Sequence, residues 1–128
     1  MSTQETQQQF ANDIRILAGL KEIEEPFGKH QVGSSAMAYK RNPMRCERAC
    51  GMARFVMSLA QNPLNTAATQ WFERTLDDSA NRREVLPSAF LAVDEILRST
   101  RRVVRGLRIN KGAIARNFAV YGVFAATE

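Results

Sequence analysis

An all-α fold is what this 128-residue sequence predicts. Three observations predict it. Apolar residues recur at three- and four-residue steps, the spacing of one helical face. Proline and glycine punctuate the chain between those stretches. No stretch alternates apolar and polar residues over a convincing strand length, and there is no internal repeat or low-complexity tract.

The elements follow in order. Residues 10–24 carry Phe10, Ile14, Leu17 and Leu20 on one stripe, and Pro26 and Gly28 end that helix. Residues 26–43 form a loop containing Gly33, the pair Ser34–Ser35 and Pro43; a connection of this length inside a compact domain is either functional or disordered. A long helix is expected over about 43–61, with Asn42 as N-cap, Pro43 at its first position and Met52, Phe55, Val56 and Leu59 as its apolar stripe. Asn62–Pro63 breaks it. Residues 64–86 are mixed, with a short helix around Trp71, Phe72 and Leu76 and a turn at Asp77 to Ser79. The other long helix is expected over 87–106, from Pro87 to Gly106. Its apolar face runs through Val93, Ile96, Leu97, Thr100, Val103, Val104 and Leu107, more than a helix in a chain this short easily buries. A short helix around 112–118 closes the pattern.

Composition narrows the function. Hydrophobic residues make up 45% and charged residues 24%, the balance of a soluble globular protein, and no apolar run could span a bilayer. The first residues lack the apolar core of a secretory signal. Two cysteines, Cys46 and Cys50, make no disulfide framework, so a reducing, cytoplasmic setting is expected. One helical turn apart, with His30 as the only histidine, they do not complete a zinc site and read as buried or half-buried thiols. The net charge of +5 comes in blocks: residues 1–28 carry −3, 29–60 carry +5, 61–95 carry −3 and 96–128 carry +6. Fourteen of the eighteen basic residues are arginine, whose planar fork suits carboxylates and phosphates. Anionic ligands, nucleic acid and complementary faces in an oligomer all fit.

The stretch Gly33-Ser34-Ser35-Ala36-Met37-Ala38-Tyr39-Lys40-Arg41-Asn42-Pro43 is the most informative. Small residues and two hydroxyls sit beside two cations, just ahead of a helix N-terminus whose free N–H groups attract anions. A serine there works as a base if cations and amides stabilise its alkoxide; a flexible solvated loop is the plainer reading. Arg41, Arg45 and Arg48 share one face, either as part of an anion site or as a solvated stripe. Trp71 to Arg83 is dense in polar groups beside aromatics; its acids pair with Arg82 and Arg83, cap the following helix, or border a ligand site.

GSSAMAYKRNPM, residues 33–44, resembles the signature loop of the fumarase/aspartase superfamily. RNPMRCERACGMARFVMSL and TQWFERTLDDSANRREVLPSAFLAVDEIL resemble, more narrowly, the adenylosuccinate lyase family of the eukaryotic-like branch, and DIRILAGLKEIEEPFGKHQ is similar too. The resemblance implies a long-helix bundle completed by other subunits as a homotetramer, with each active site drawing on three chains. It implies cleavage of adenylosuccinate to AMP and fumarate, and of the succinocarboxamide ribotide of purine biosynthesis, by β-elimination without metal or organic cofactor. It places the base on Ser34, the hold on the substrate's dicarboxylate on Lys40 and Asn42, and nucleotide and phosphate contacts on Arg48, Arg74, Ser79 and Arg83. Ala38 stands where most of the superfamily has proline. The general-acid histidine of the family has no match, since His30 lies on the approach to the loop. The resemblance therefore implies a segment of the central helical-bundle domain, with N- and C-terminal domains outside it. Nucleic acid and membrane are not expected as partners. Two other readings are weighed: a non-catalytic helical module binding nucleic acid through Arg98, Arg101, Arg102, Arg105 and Arg108, and a sister lyase such as argininosuccinate lyase or fumarase.

Overall fold

The computed structural model describes residues 2–28, 31, 37 and 40–122. Five helices and one small ribbon make up the described part: α1 (Thr3–Gly19), β1 (Ile23–Glu24), α2 (Met44–Leu59), α3 (Gln61–Thr69), α4 (Leu76–Gly106), β2 (Arg108–Ile109) and α5 (Lys111–Tyr121). No helix among the described residues is long and apolar enough to cross a membrane.

α2 lies between α1 and α4 and packs against both. The core they share consists of Ala11 and Ile14 from α1, Cys46, Ala49 and Cys50 from α2, and Val103 from α4, with Phe10, Ile23 and Leu107 packed against it. A helix flanked on two sides can approach its neighbours closely only through small side chains. The buried face of α2 is therefore Cys46, Ala49, Cys50 and Ala53, while Phe55 of the expected stripe is exposed and Met52, Val56 and Leu59 are half-buried.

Several boundaries differ from the expectation. α1 starts at Thr3, seven residues early, because Ser2 and Glu5 form a reciprocal capping box. It ends at Gly19 in a Schellman turn: Lys21 N–H donates to the Ala18 carbonyl and Glu22 N–H to that of Leu17, both at 3.0 Å, with Lys21 at φ 60°. The break after α2 falls at Ala60. Pro63 sits in the first turn of α3, where its missing N–H removes no helical bond.

Trp71 and Phe72 lie in a non-helical connection. The turn expected at Asp77 to Ser79 is instead the first turn of α4, so the helix expected from Pro87 begins eleven residues earlier at Leu76. Acidic Asp77 and Asp78 favour a helix start through the dipole. The face of α4 that packs inward is Ala92, Ile96, Ser99 and Val103; Leu76, Phe90, Leu97 and Val104 remain exposed. Among the described residues the strands form one short antiparallel ribbon, where Ile23 pairs with Ile109 and Glu24 with Arg108.

Candidate active site

Only Gly28, Gln31, Met37 and residues 40–43 of the serine loop's 28–43 stretch are described, so Ser34, with Ser35, His30 and Tyr39, lies outside the described residues. Its two stalks are well defined. The inbound stalk, residues 20–28, is held by the α4–α5 junction: Asn110 N–H donates to the Glu22 carbonyl (2.8 Å), and Asn117 Nδ2 donates to the Leu20 carbonyl (3.1 Å) and to Glu22 Oε1 (2.9 Å). Gly106 meets Pro26 so closely that a Cβ there would stand 2.6 Å from the proline Cβ.

The outbound stalk enters α2, whose N-cap is Pro43, with no side-chain cap of its own. Asn42 does not cap with its side chain as expected; its carbonyl accepts from Met44 N–H at 2.8 Å. The cap comes from twenty residues upstream. Buried Glu25 accepts from Arg45 N–H at 3.0 Å through Oε1 and from Cys46 N–H at 3.2 Å through Oε2. Hydrogen bonds to an ionised group contribute about 1.5–3 kcal/mol each, and the carboxylate also meets the positive end of the helix dipole.

Between the stalks lies a cleft of about 820 Å³ bordered by Arg15, Lys21, Lys40, Arg41 and Asn42, with Glu24, Glu25 and Glu47 among its carboxylates. Arg41 stacks its guanidinium 5.2 Å from the centre of the Phe27 ring. Such a cleft can take an anionic ligand on Lys40 and on whichever guanidinium is not already occupied.

The other expected residues sit elsewhere. Arg74 Nε lies 3.8 Å and Arg82 3.7 Å from Oδ2 of buried Asp78, so Asp78 joins two arginines. Arg82 thus makes one of the pairings the sequence left open, whereas Arg83 is exposed. Asn81 Nδ2 donates to Asn62 Oδ1 (2.7 Å) and Thr66 Oγ1 (3.1 Å), tying α4 to α3. A second cleft of about 240 Å³ runs along this seam and includes Arg74. Ser79 is half-buried in the first turn of α4. Arg48 is exposed and 3.6 Å from Glu95 of α4, an ion pair that contributes little to stability at that exposure. The described members of the set are thus divided: Lys40 and Asn42 share one cleft, Arg74 borders another, and Arg48, Ser79 and Arg83 border neither.

Both cysteines are buried and unbridged, as expected. Burial pushes the Cys46 thiol up to about 12, and the adjacent Glu25 charge adds to the shift. Cys50 Sγ donates to Asn12 Oδ1 at 3.3 Å. Among the described residues no group of three or more histidine, cysteine, aspartate or glutamate side chains converges to hold a metal. Sequence reasoning missed Glu25 and Asp78 as organising groups. The spacing of Arg74, Asp78 and Arg82 at four-residue steps carried the signal for the second; nothing local carried it for the first.

Comparison with known proteins narrows the reading. A family model described as lyase matches residues 6–58. The adenylosuccinate lyase of Schizosaccharomyces pombe is 56% identical over 123 residues, covering 96% of this chain and 26% of that enzyme. That of Saccharomyces cerevisiae is 55% identical with the same coverage, and that of Pyrococcus abyssi is 41% identical over 119 residues, 88% of this chain and 25% of that enzyme. The chain spans about a quarter of the length of the curated relatives it matches. Helical fold, family match and identity agree: this chain belongs to the lyase family, on its adenylosuccinate lyase branch.

Proposed function

We propose that the chain supplies the serine-loop segment of an adenylosuccinate lyase, which releases fumarate from adenylosuccinate and from the succinocarboxamide ribotide of purine biosynthesis. The observation that carries the reading is identity of 55–56% to two adenylosuccinate lyases over 96% of the chain. Ser34 removes the proton beside the carboxylate. Lys40 and Asn42 hold the dicarboxylate part and stabilise the charge that builds on it, the kind of fixed electrostatic stabilisation that dominates such barriers. Arg48, Arg74, Ser79 and Arg83 hold the nucleotide.

The division of these residues among separate places on one chain supports a site completed by other copies, in a homotetramer. So do the apolar residues left exposed along α4 and at Trp71 and Phe72. The setting is cytoplasmic. The basic-helix alternative is weaker, since Arg98 is already 2.7 Å from Asp94 and the relatives compared above are named as lyases.

The test is a graft: this chain replaces the matching quarter of the Schizosaccharomyces pombe lyase, and fumarate release is followed in the ultraviolet. The parent graft is expected to turn over, and Ser34→Ala to abolish kcat while substrate still binds. A graft in which Ser34→Ala keeps near-normal kcat would remove the base assignment, and dispensability of both Ser34 and Ser35 would remove the catalytic reading of the loop. The 128-residue chain alone is expected not to reach normal turnover, because a missing general acid costs roughly 10²–10⁴-fold.

A further inference from the structure

Glu25 has no role in the chemistry proposed above, yet it borders the cleft and is among the few buried charged side chains of the described residues. It sits on the inbound stalk directly after β1 and directly before Pro26. Both of its oxygens are spent on the outbound stalk, at the N–H groups of Arg45 and Cys46. The remaining first-turn donors of α2, Met44 and Glu47, are satisfied by the carbonyls of Asn42 and Pro43. The start of α2 is therefore defined by one local turn and one distant carboxylate. Lys40 and Asn42 lie three and five residues ahead of Arg45 and border the same cleft as Glu25. The stalk that carries Glu25 is itself held by the ribbon, by Asn110 and Asn117, and by the Pro26–Gly106 contact. A carboxylate on a braced stalk is thus the only described side chain whose hydrogen bonds to α2's first-turn amides tie the two ends of the serine loop together.

We propose that Glu25 is a positioning residue for the lyase reaction: by clamping the first turn of α2 to the inbound stalk, it holds Lys40 and Asn42 where the substrate's dicarboxylate part must lie. The inference rests on the function proposed above. Glutamine at this position keeps one acceptor oxygen but turns an NH₂ toward a backbone N–H, so one of the two bonds is replaced by a repulsive donor–donor contact. Aspartate keeps both oxygens on a stem one methylene shorter. A shift of about 1 Å in a substrate-holding group is enough to cost on the order of 10²-fold in rate.

The test has two arms. In the 128-residue chain, Glu25→Gln is expected to shift the backbone amide resonances of Arg45 and Cys46 and to speed their hydrogen exchange. In the grafted lyase, Glu25→Gln is expected to lower kcat at least tenfold with a smaller change in KM, and Glu25→Asp to recover part of the loss. Ile96→Val, a core change remote from the loop, serves as a control for lost stability and should leave kcat within twofold. Unmoved Arg45 and Cys46 amides, or a Glu25→Gln graft within twofold of parent kcat, would overturn the proposal alone. A parent graft without fumarate release, or one indifferent to Ser34→Ala, would overturn the lyase reading and the proposal with it.

Discussion

Replacing Gly106 by alanine tests how tightly the inbound stalk is held. The new Cβ would lie 2.6 Å from Pro26 Cβ and 2.8 Å from its Cγ. Carbon atoms rest about 3.5–4.0 Å apart, so one side must move by roughly 1 Å. Neither is free to do so. The proline ring has no rotamer to escape into, and the ribbon pairing of Glu24 with Arg108 lies two residues from each partner of the clash. Overpacking of this kind costs about 1–3 kcal/mol. Against it stands the gain from removing a helical glycine, up to about 1 kcal/mol, which is smaller at a helix end. The clash wins, and Gly106→Ala should destabilise by roughly 1–2 kcal/mol. Gly51 provides the contrast, because a Cβ there meets nothing within 4 Å in the middle of α2. Gly51→Ala should stabilise by about 0.5–1 kcal/mol. Urea unfolding of both variants at one protein concentration reads the midpoints directly, with slopes unchanged. A Gly106→Ala midpoint at or above the parent's would refute the close contact as a constraint.

Other outcomes follow from the same structure. Lys21 occupies the left-handed region at φ 60°, so Lys21→Gly should raise stability by up to about 1 kcal/mol in the same assay. Burial pushes the Cys46 thiol up to about 12 from 9.0 for a free thiol, so its contribution is fully present below pH 9 and is lost as pH rises toward 12. The loss runs at no more than about 1.4 kcal/mol per pH unit, and Cys46→Ala should flatten the difference in unfolding midpoint between pH 8 and pH 10. In the grafted lyase, Arg74→Ala and Arg83→Ala should raise KM before they lower kcat, since nucleotide charge is present in ground and transition states alike; arginine-to-lysine changes should rescue only in part. The exposed apolar face of α4 should make the 128-residue chain self-associate, which sedimentation would show; a sharp monomeric species would argue against it.

The helices were largely legible, and the reason is periodicity: Phe10 and Ile14 in α1 and Ile96 and Val103 in α4 read as one-sided stripes and are packed accordingly. Their ends were less so. Pro87 looked like a start because a proline usually opens a helix, but here it is tolerated inside one, and the true start is carried by Asp77 and Asp78. The inward face of α2 is not its row of large residues, because a helix packed between two neighbours buries alanine and cysteine. The serine loop stood out through its motif, and the charges near it through their density. Glu25 did not, because its partners lie twenty residues downstream and only the fold brings them together.

Pro87 also divides α4 mechanically. It offers no N–H to the carbonyl of Arg83, so the ladder of helical bonds has a missing rung at that point. On one side the first turns are fastened to α3 through Asn81; on the other, Ala92 to Val103 are packed into the core. The missing rung lies between these two anchorages. Ser79 and Arg83, the proposed nucleotide contacts on this helix, ride on the outer arm, on the far side of Pro87 from the packing that keeps the inner arm folded.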